Sequence, residues 1–406
     1  MQSALASSYQ KGFANHMISL LIVIFICFIG VGLPDSVLGS AWPVIYQELN
    51  LPISLAGYIS STVSACTIVS SLMSARVIKR FGVGGVTAVS TVMTAAALYG
   101  FAFTHHPVWF FLFAVPLGLG AGSIDTALNN FVALHYSASR MNFMHCFYGM
   151  GVAVSPYLMA AALSVNNSWR RGYIFVAAIQ TVISIMAFLS LPIWKKAAHK
   201  DAIENGGESR ILSLSQMLRM PMALMSSFAF LTACAVELTA GGWSSSFFVN
   251  SKGVSAEHAA RITMLFYIGL TMGRFLSGLL ARRLSRWSIV HMACLLMLCS
   301  IALLMLPLPV TVCAAALLFL GMGIGPIFPN LTHLTPTIFG RDISGSIMGL
   351  QQTASYVGIM LMPWLFGLIA EKLSTALFPL YLFVLYGFFI LALLLLEKGR
   401  KGSTLR

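Results

Sequence analysis

Asp35, Asp125 and Glu237 stand where acids are costly: each lies inside a long apolar stretch, with no basic residue within a helical turn on the same stretch. A charged group near the centre of a bilayer costs about 2.5–3.5 kcal/mol even on the lenient insertion scale, so such residues face a bundle interior or a water-filled path and mark the route of an ion or substrate. A carboxyl in apolar surroundings can bind and release a proton near neutral pH, which makes these three the candidates for proton coupling. Residues at i, i+4 and i+7 share one helix face. Asp35 is thereby stacked with Gly39 and Trp42, Asp125 with Gly118, Gly122 and Asn129, and Glu237 with Gly241 and Ser244. Each acid sits on a small or polar stripe that admits either a neighbouring helix or a ligand.

Neutral polar side chains fall in the same stretches: Asn129, Asn130, His145, Tyr148, Asn330, His333, Gln351 and Gln352. Their donors and acceptors suit the hydroxyls of a sugar-like molecule. Trp42 and Trp243 add faces on which a sugar ring could stack, although an aromatic in a span also serves packing or interfacial anchoring. Arg274, inside the eighth stretch, and the basic turn residues Arg80 and Arg283 are candidates for gating. The bland alternative for every acid is a carboxyl hydrogen-bonded to a neighbour for helix packing.

The elements that must position these groups are membrane helices. Of the 406 residues 58% are hydrophobic and 9% charged, far below the quarter charged in soluble domains. About 20 apolar residues in a helix cross a hydrocarbon core of about 30 Å. Twelve such stretches occur, near 17–44, 52–75, 84–103, 107–134, 142–164, 171–194, 221–248, 259–281, 288–306, 309–337, 344–370 and 375–396, numbered here as spans 1 to 12. The first reads as a retained span rather than a cleaved signal peptide. Of the 24 Lys and Arg, 18 fall in alternate breaks that include both termini, so both termini are expected on the cytoplasmic side. The net charge of +13 is thus an orientation signal, with no call for a nucleic-acid partner. Seven cysteines scattered in apolar stretches read as small buried hydrophobes, not metal ligands.

The longest polar break, 195–220, carries Lys200, Asp201, Glu204 and Glu208 and reads as a cytoplasmic linker between residues 1–194 and 221–406. Sliding the chain on itself by 203 residues lays Gly118, Gly120 and Gly122 on Gly321, Gly323 and Gly325, while Gly151 to Pro156 has the spacing of Gly358 to Pro363. The expected fold class is therefore an all-α integral membrane protein of two pseudo-symmetric six-helix bundles.

With these features on the page, nearly the whole chain resembles the major facilitator superfamily. The turns ARVIKRFG (75–82) and GRFLSGLLARR (273–283) are similar to that superfamily's signature loop, except that Lys79 and Arg282 stand where an acid is usual. GLPDSVLGSAWP (32–43), GLGAGSIDTALNNF (118–131), MHCFYGMGVAVSP (144–156) and GMGIGPIFPN (321–330) resemble more narrowly the branch of the fucose permease and the sodium-dependent glucose carriers. That resemblance implies Asp35 and Asp125 as the functional carboxylates, the second being Glu in the permease. It also implies a multi-pass protein of the cytoplasmic membrane that imports a sugar or similar polyol with protons, or with Na⁺, by alternating access. The expected partners are that small molecule, protons and the lipid bilayer, with a monomeric chain and no cofactor or bound metal. The alternatives are a proton-driven exporter of amphipathic compounds and a transporter-like sensor. Zinc-protease, nucleophile-elbow and phosphate-loop motifs are absent from the sequence, so no enzyme is expected.

Overall fold

The computed structural model describes residues 2–52, 54–166, 168–197 and 210–403; the linker acids Asp201, Glu204 and Glu208 lie outside the described residues. Those residues form helices joined by short turns, with no strand among them. Among the described residues eleven helices are long and apolar enough to cross a bilayer. One of them, Leu55–Ala102, is broken at Gly82, whose φ of 71° and ψ of 160° are not helical. Both arms pack against span 4, because a Cβ added at Gly118 would meet Val63 and one added two residues later at Gly120 would meet Ser90 and Thr94. Spans 2 and 3 are these two arms, which gives the twelve spans expected. A φ of +71° is strained for any residue with a Cβ, so glycine is the residue that permits this fold-back.

The other spans follow the apolar stretches. Span 1 belongs to Gln2–Glu48, span 4 to Pro107–His135, span 5 to Ala138–Asn166 and span 6 to Trp169–Leu189. Spans 7, 8 and 9 are Pro221–Lys252, Ala256–Leu280 and Arg286–Met305. Span 10 comprises two helices, Val310–Ile324 and Ile327–Phe339, parted at Gly325 and Pro326; spans 11 and 12 are Ser344–Lys372 and Phe378–Ser403. Serines open several of them: Ser168, Ser255 and Ser285 each accept a hydrogen bond from the backbone N–H three residues on, satisfying one of the otherwise orphaned amides of the first turn. Within the linker, Ser213 and Gln216 form a reciprocal capping box on the short helix Leu214–Leu218.

The chain divides into two compact units, one of residues 1–131 and 147–210, the other of 132–146 and 211–406. Each is held by the same device. In the first unit, Gly118 and Gly122 of span 4 lie against the Val63 and Thr67 carbonyls of span 2, and Gly32 and Gly151 bring spans 1 and 5 together. In the second, Gly321 and Gly325 of span 10 lie against the Phe266 and Leu270 carbonyls of span 8, and Gly358 of span 11 against Leu231 of span 7. A Cβ at any of these glycines would stand 2.1–2.5 Å from a neighbouring backbone atom. Lipid offers no hydrophobic drive between helices, so association rests on this close backbone approach and on buried hydroxyl bonds. Ser155 donates to the Leu33 carbonyl at 2.5 Å, Ser36 to Val152 at 2.6 Å and Thr67 to Gly118 at 3.1 Å. The outward surface is apolar, with Val182, Leu189, Leu295 and Leu391 exposed, as a lipid-facing surface requires.

Candidate functional site

In the first unit the carboxylates sit on two helices braced by those glycine contacts. Asp35 lies one residue after Pro34, a position in span 1 where the proline removes a backbone donor. Its carboxylate accepts a 2.5 Å hydrogen bond from the Tyr148 hydroxyl of span 5. The close approach of spans 1 and 5 at Gly32, where a Cβ would meet the Tyr148 carbonyl at 2.2 Å, sets that distance. Asp35 and Gly39 are exposed side by side on span 1, whereas Trp42, on the same face, is buried and packs edge-on against Phe110. Trp42 is therefore a packing residue, and its ring face is not open to a ligand.

Asp125 is buried on span 4, where Asn129, one turn on, donates from Nδ2 to its Oδ1 at 2.8 Å and to its backbone carbonyl at 2.9 Å. Asn130 is half-buried beside it. The glycine stripe that the spacing left open to helix or ligand is a helix contact at Gly118 and Gly122, and turns polar only at Asp125 and Asn129. A polar residue the sequence reading passed over also belongs here: Gln180 of span 6, whose Nε2 donates to Thr94 Oγ1 at 2.6 Å. Its buried Oε1 accepts no hydrogen bond among the described residues. It lines a small space of about 10 Å³ with Gly30, Pro34 and Ile124. A lone glutamine in an apolar span is the signal that would have found it.

In the second unit Glu237 is not a lone acid. Arg274 of span 8 pairs with it, Nη2 to Oε1 at 3.2 Å, with side-chain exposures of 7% for the arginine and 18% for the glutamate. Ser244, two turns along span 7, bonds Thr263 at 2.9 Å. Gln351 of span 11 bridges two further helices, donating to Ser226 at 2.6 Å and accepting from Thr335 at 3.0 Å, and Gln352 is buried beside it. Trp243 donates from its indole nitrogen to the Pro363 carbonyl at 2.9 Å and packs on Phe366.

The remaining candidates gather around residues 132–146. Asn330 is fully buried and donates to Ser277 at 2.9 Å and to the Pro326 carbonyl at 2.7 Å, with Asn142 3.4 Å away. His333 takes Arg286 Nη1 at 2.7 Å on Nδ1 and faces the Tyr136 carbonyl at 2.8 Å with Nε2. A guanidinium can only donate, so Nδ1 is the acceptor and Nε2 carries the proton that Tyr136 receives. His145 packs edge-on against Phe328 of span 10. Arg80 lies over the Phe81 ring and Arg283 in the exposed turn after span 8. Arg286, counted only as a topological charge in the sequence, is brought to the site by the 2.7 Å contact with His333.

Intramembrane carboxylates on closely packed helices, buried amides and an apolar exterior define a class: a multi-pass α-helical membrane protein with ionisable groups within its spans. The sequence description of the Major Facilitator Superfamily matches residues 21–363, and the chain belongs to that family of membrane transporters. Among curated proteins it is similar to Bypass of stop codon protein 6 of Saccharomyces cerevisiae, at 22% identity over 94% of this chain and 83% of the yeast protein. It is also similar to the Glucose/mannose transporter GlcP of Bacillus subtilis, at 23% over 67% of this chain and 69% of GlcP. Among solved structures, the proton:xylose symporter XylE superposes with a TM-score of 0.77 at 13% identity, covering 95% of this chain and 96% of XylE. FucP in its outward conformation superposes with a TM-score of 0.73 at 14% identity, covering 93% of this chain and 99% of FucP. At these identities the superpositions establish the fold.

Proposed function

We propose that this transporter carries a sugar or similar small polyhydroxylated metabolite by alternating access, coupled to protons through Asp35 and Asp125. The observation that carries the reading is that each acid is bonded to a neutral side chain, Tyr148 at 2.5 Å for Asp35 and Asn129 at 2.8 Å for Asp125. Either acid can lose its proton without leaving a bare charge, since the partner's donor stays in place. Glu237 of span 7 is instead paired with the charged Arg274 of span 8, and the neutral pairings make Asp35 and Asp125 the groups assigned here to proton exchange. Resemblance to GlcP, XylE and FucP supports the sugar class. The functional halves are residues 1–194 and 221–406, joined by the linker 195–220.

The test is uptake of labelled hexoses and pentoses into proteoliposomes, with and without an imposed pH gradient. A pH gradient should drive accumulation. Asp125→Asn should abolish that accumulation while leaving exchange of labelled for unlabelled sugar, and Asp35→Asn should flatten the dependence of substrate binding on pH. Accumulation driven by a Na⁺ gradient alone would refute proton coupling. Lipophilic cations, but no sugar, raising the melting temperature would refute the sugar class.

A further inference from the structure

A groove of about 510 Å³ opens between spans 7 and 11 of the second unit, lined by Trp243, Asn250, Trp364, Gly367, Glu371 and Thr375, among others. It lies apart from Glu237, Asn330 and Gln351, at the ends of these helices where Lys252 and Lys372 close them. From Trp243 to Asn250 on one wall and from Trp364 to Glu371 on the other are seven residues each, so the groove is about 10 Å long at 1.5 Å rise per residue. Its inner end is aromatic and its mouth is polar. The volume lies in the range of about 300–1,000 Å³ typical of small-molecule sites.

We propose that this groove is an accessory binding site for a monosaccharide. Trp364 is 61% exposed and offers an indole face. Trp243 is oriented by its 2.9 Å bond to the Pro363 carbonyl and by its edge contact with Phe366, and Gly367 leaves room for its ring, since a Cβ there would come within 3.0 Å of it. The C–H face of a pyranose stacks on such rings, while its hydroxyls need groups that both donate and accept. Asn250 supplies an amide for both purposes, Glu371 a carboxylate acceptor and Thr375 a hydroxyl already oriented by Ser251 at 3.0 Å. Exposed indole beside an amide, a carboxylate and a hydroxyl suits a neutral hydroxylated ring. The ligand class is taken from the transport reading above, but the groove residues are separate from the coupling acids, so the two can fail independently.

The probe is D-glucose, observed by saturation-transfer NMR on the full chain in phosphatidylcholine nanodiscs. Wild type should show saturation of the sugar C–H protons. Trp364→Ala and, separately, Glu371→Gln should weaken the response about tenfold in apparent affinity, and Leu391→Ala, on the exposed apolar surface away from the groove, should retain it. Retention in Leu391→Ala together with loss in Trp364→Ala supports the groove even if uptake assays reject sugar transport. An unchanged signal in both groove variants, or no signal in wild type, overturns the proposal. A lipid occupant is tested by brominated phosphatidylcholine: quenching of the Trp364 contribution, obtained as wild type minus Trp364→Phe, that glucose does not relieve also overturns it.

Discussion

Removing one member of the Glu237–Arg274 pair should destabilise the second unit more than removing both. The two charges lie 3.2 Å apart and are at most 18% exposed. Coulomb's law at an effective dielectric near 20 gives an attraction of about 5 kcal/mol at that distance. Each ion also lost several kcal/mol of hydration on burial, so the intact pair stands near break-even against a neutral pair of similar size. The contact is a single one, and the buried Nε of Arg274 has no hydrogen-bond partner among the described residues, so nothing else compensates the guanidinium once the carboxylate is gone. Glu237→Gln and Arg274→Gln should each cost about 3–5 kcal/mol. The double variant, with two amides able to bond each other, should lose less than either single variant, and so fall at least about 3 kcal/mol short of the sum of the singles. Unfolding by dodecyl sulfate in mixed micelles, followed by circular dichroism, supplies the differences from shifts of the midpoint at constant slope. Strictly additive losses, or single variants within about 0.5 kcal/mol of wild type, would refute the argument that the pair is a desolvated unit.

Three further outcomes are expected. Gly32→Ala should destabilise by about 1–3 kcal/mol, because its Cβ would stand 2.2 Å from the Tyr148 carbonyl; Gly39→Ala on the same helix, with nothing within 4 Å, should be neutral or stabilise by up to about 1 kcal/mol. The same micelle titration checks both. Gln351→Leu removes the donor to the buried Ser226 hydroxyl and should cost about 1–3 kcal/mol in that titration, with little added from Thr335, whose hydroxyl keeps its bond to the Leu331 carbonyl. Asn330→Ala removes the donor shared by Pro326 and Ser277, and hydrogen exchange should quicken in residues 136–146 before it does elsewhere in the second unit; uniform exchange across spans 8 and 10 would count against a local role.

The sequence by itself determined the solvent, the number of spans and the repeat, because lipid imposes its demand residue by residue: a helix that crosses it must be apolar along its length, and a charge inside it is conspicuous. That is why Asp35, Asp125 and Glu237 were legible. Gly118 and Gly321 were legible as a repeat, though whether they faced a ligand or a helix was not, since periodicity gives a face and never its occupant. Only the tertiary structure decided that both glycine rows are helix seams, that Trp42 is packed on Phe110, and that Glu237 meets Arg274. Glu237 and Arg274 are 37 residues apart in the chain, and the pairing of spans 7 and 8 that joins them leaves no mark in local spacing. The same holds for Tyr148 and Asp35, 113 residues apart. Hydrogen bonds and ion pairs act over about 3 Å, so which polar group meets which acid depends on how helices cross, and that is settled by backbone contacts at glycines distant in sequence from the groups they bring together.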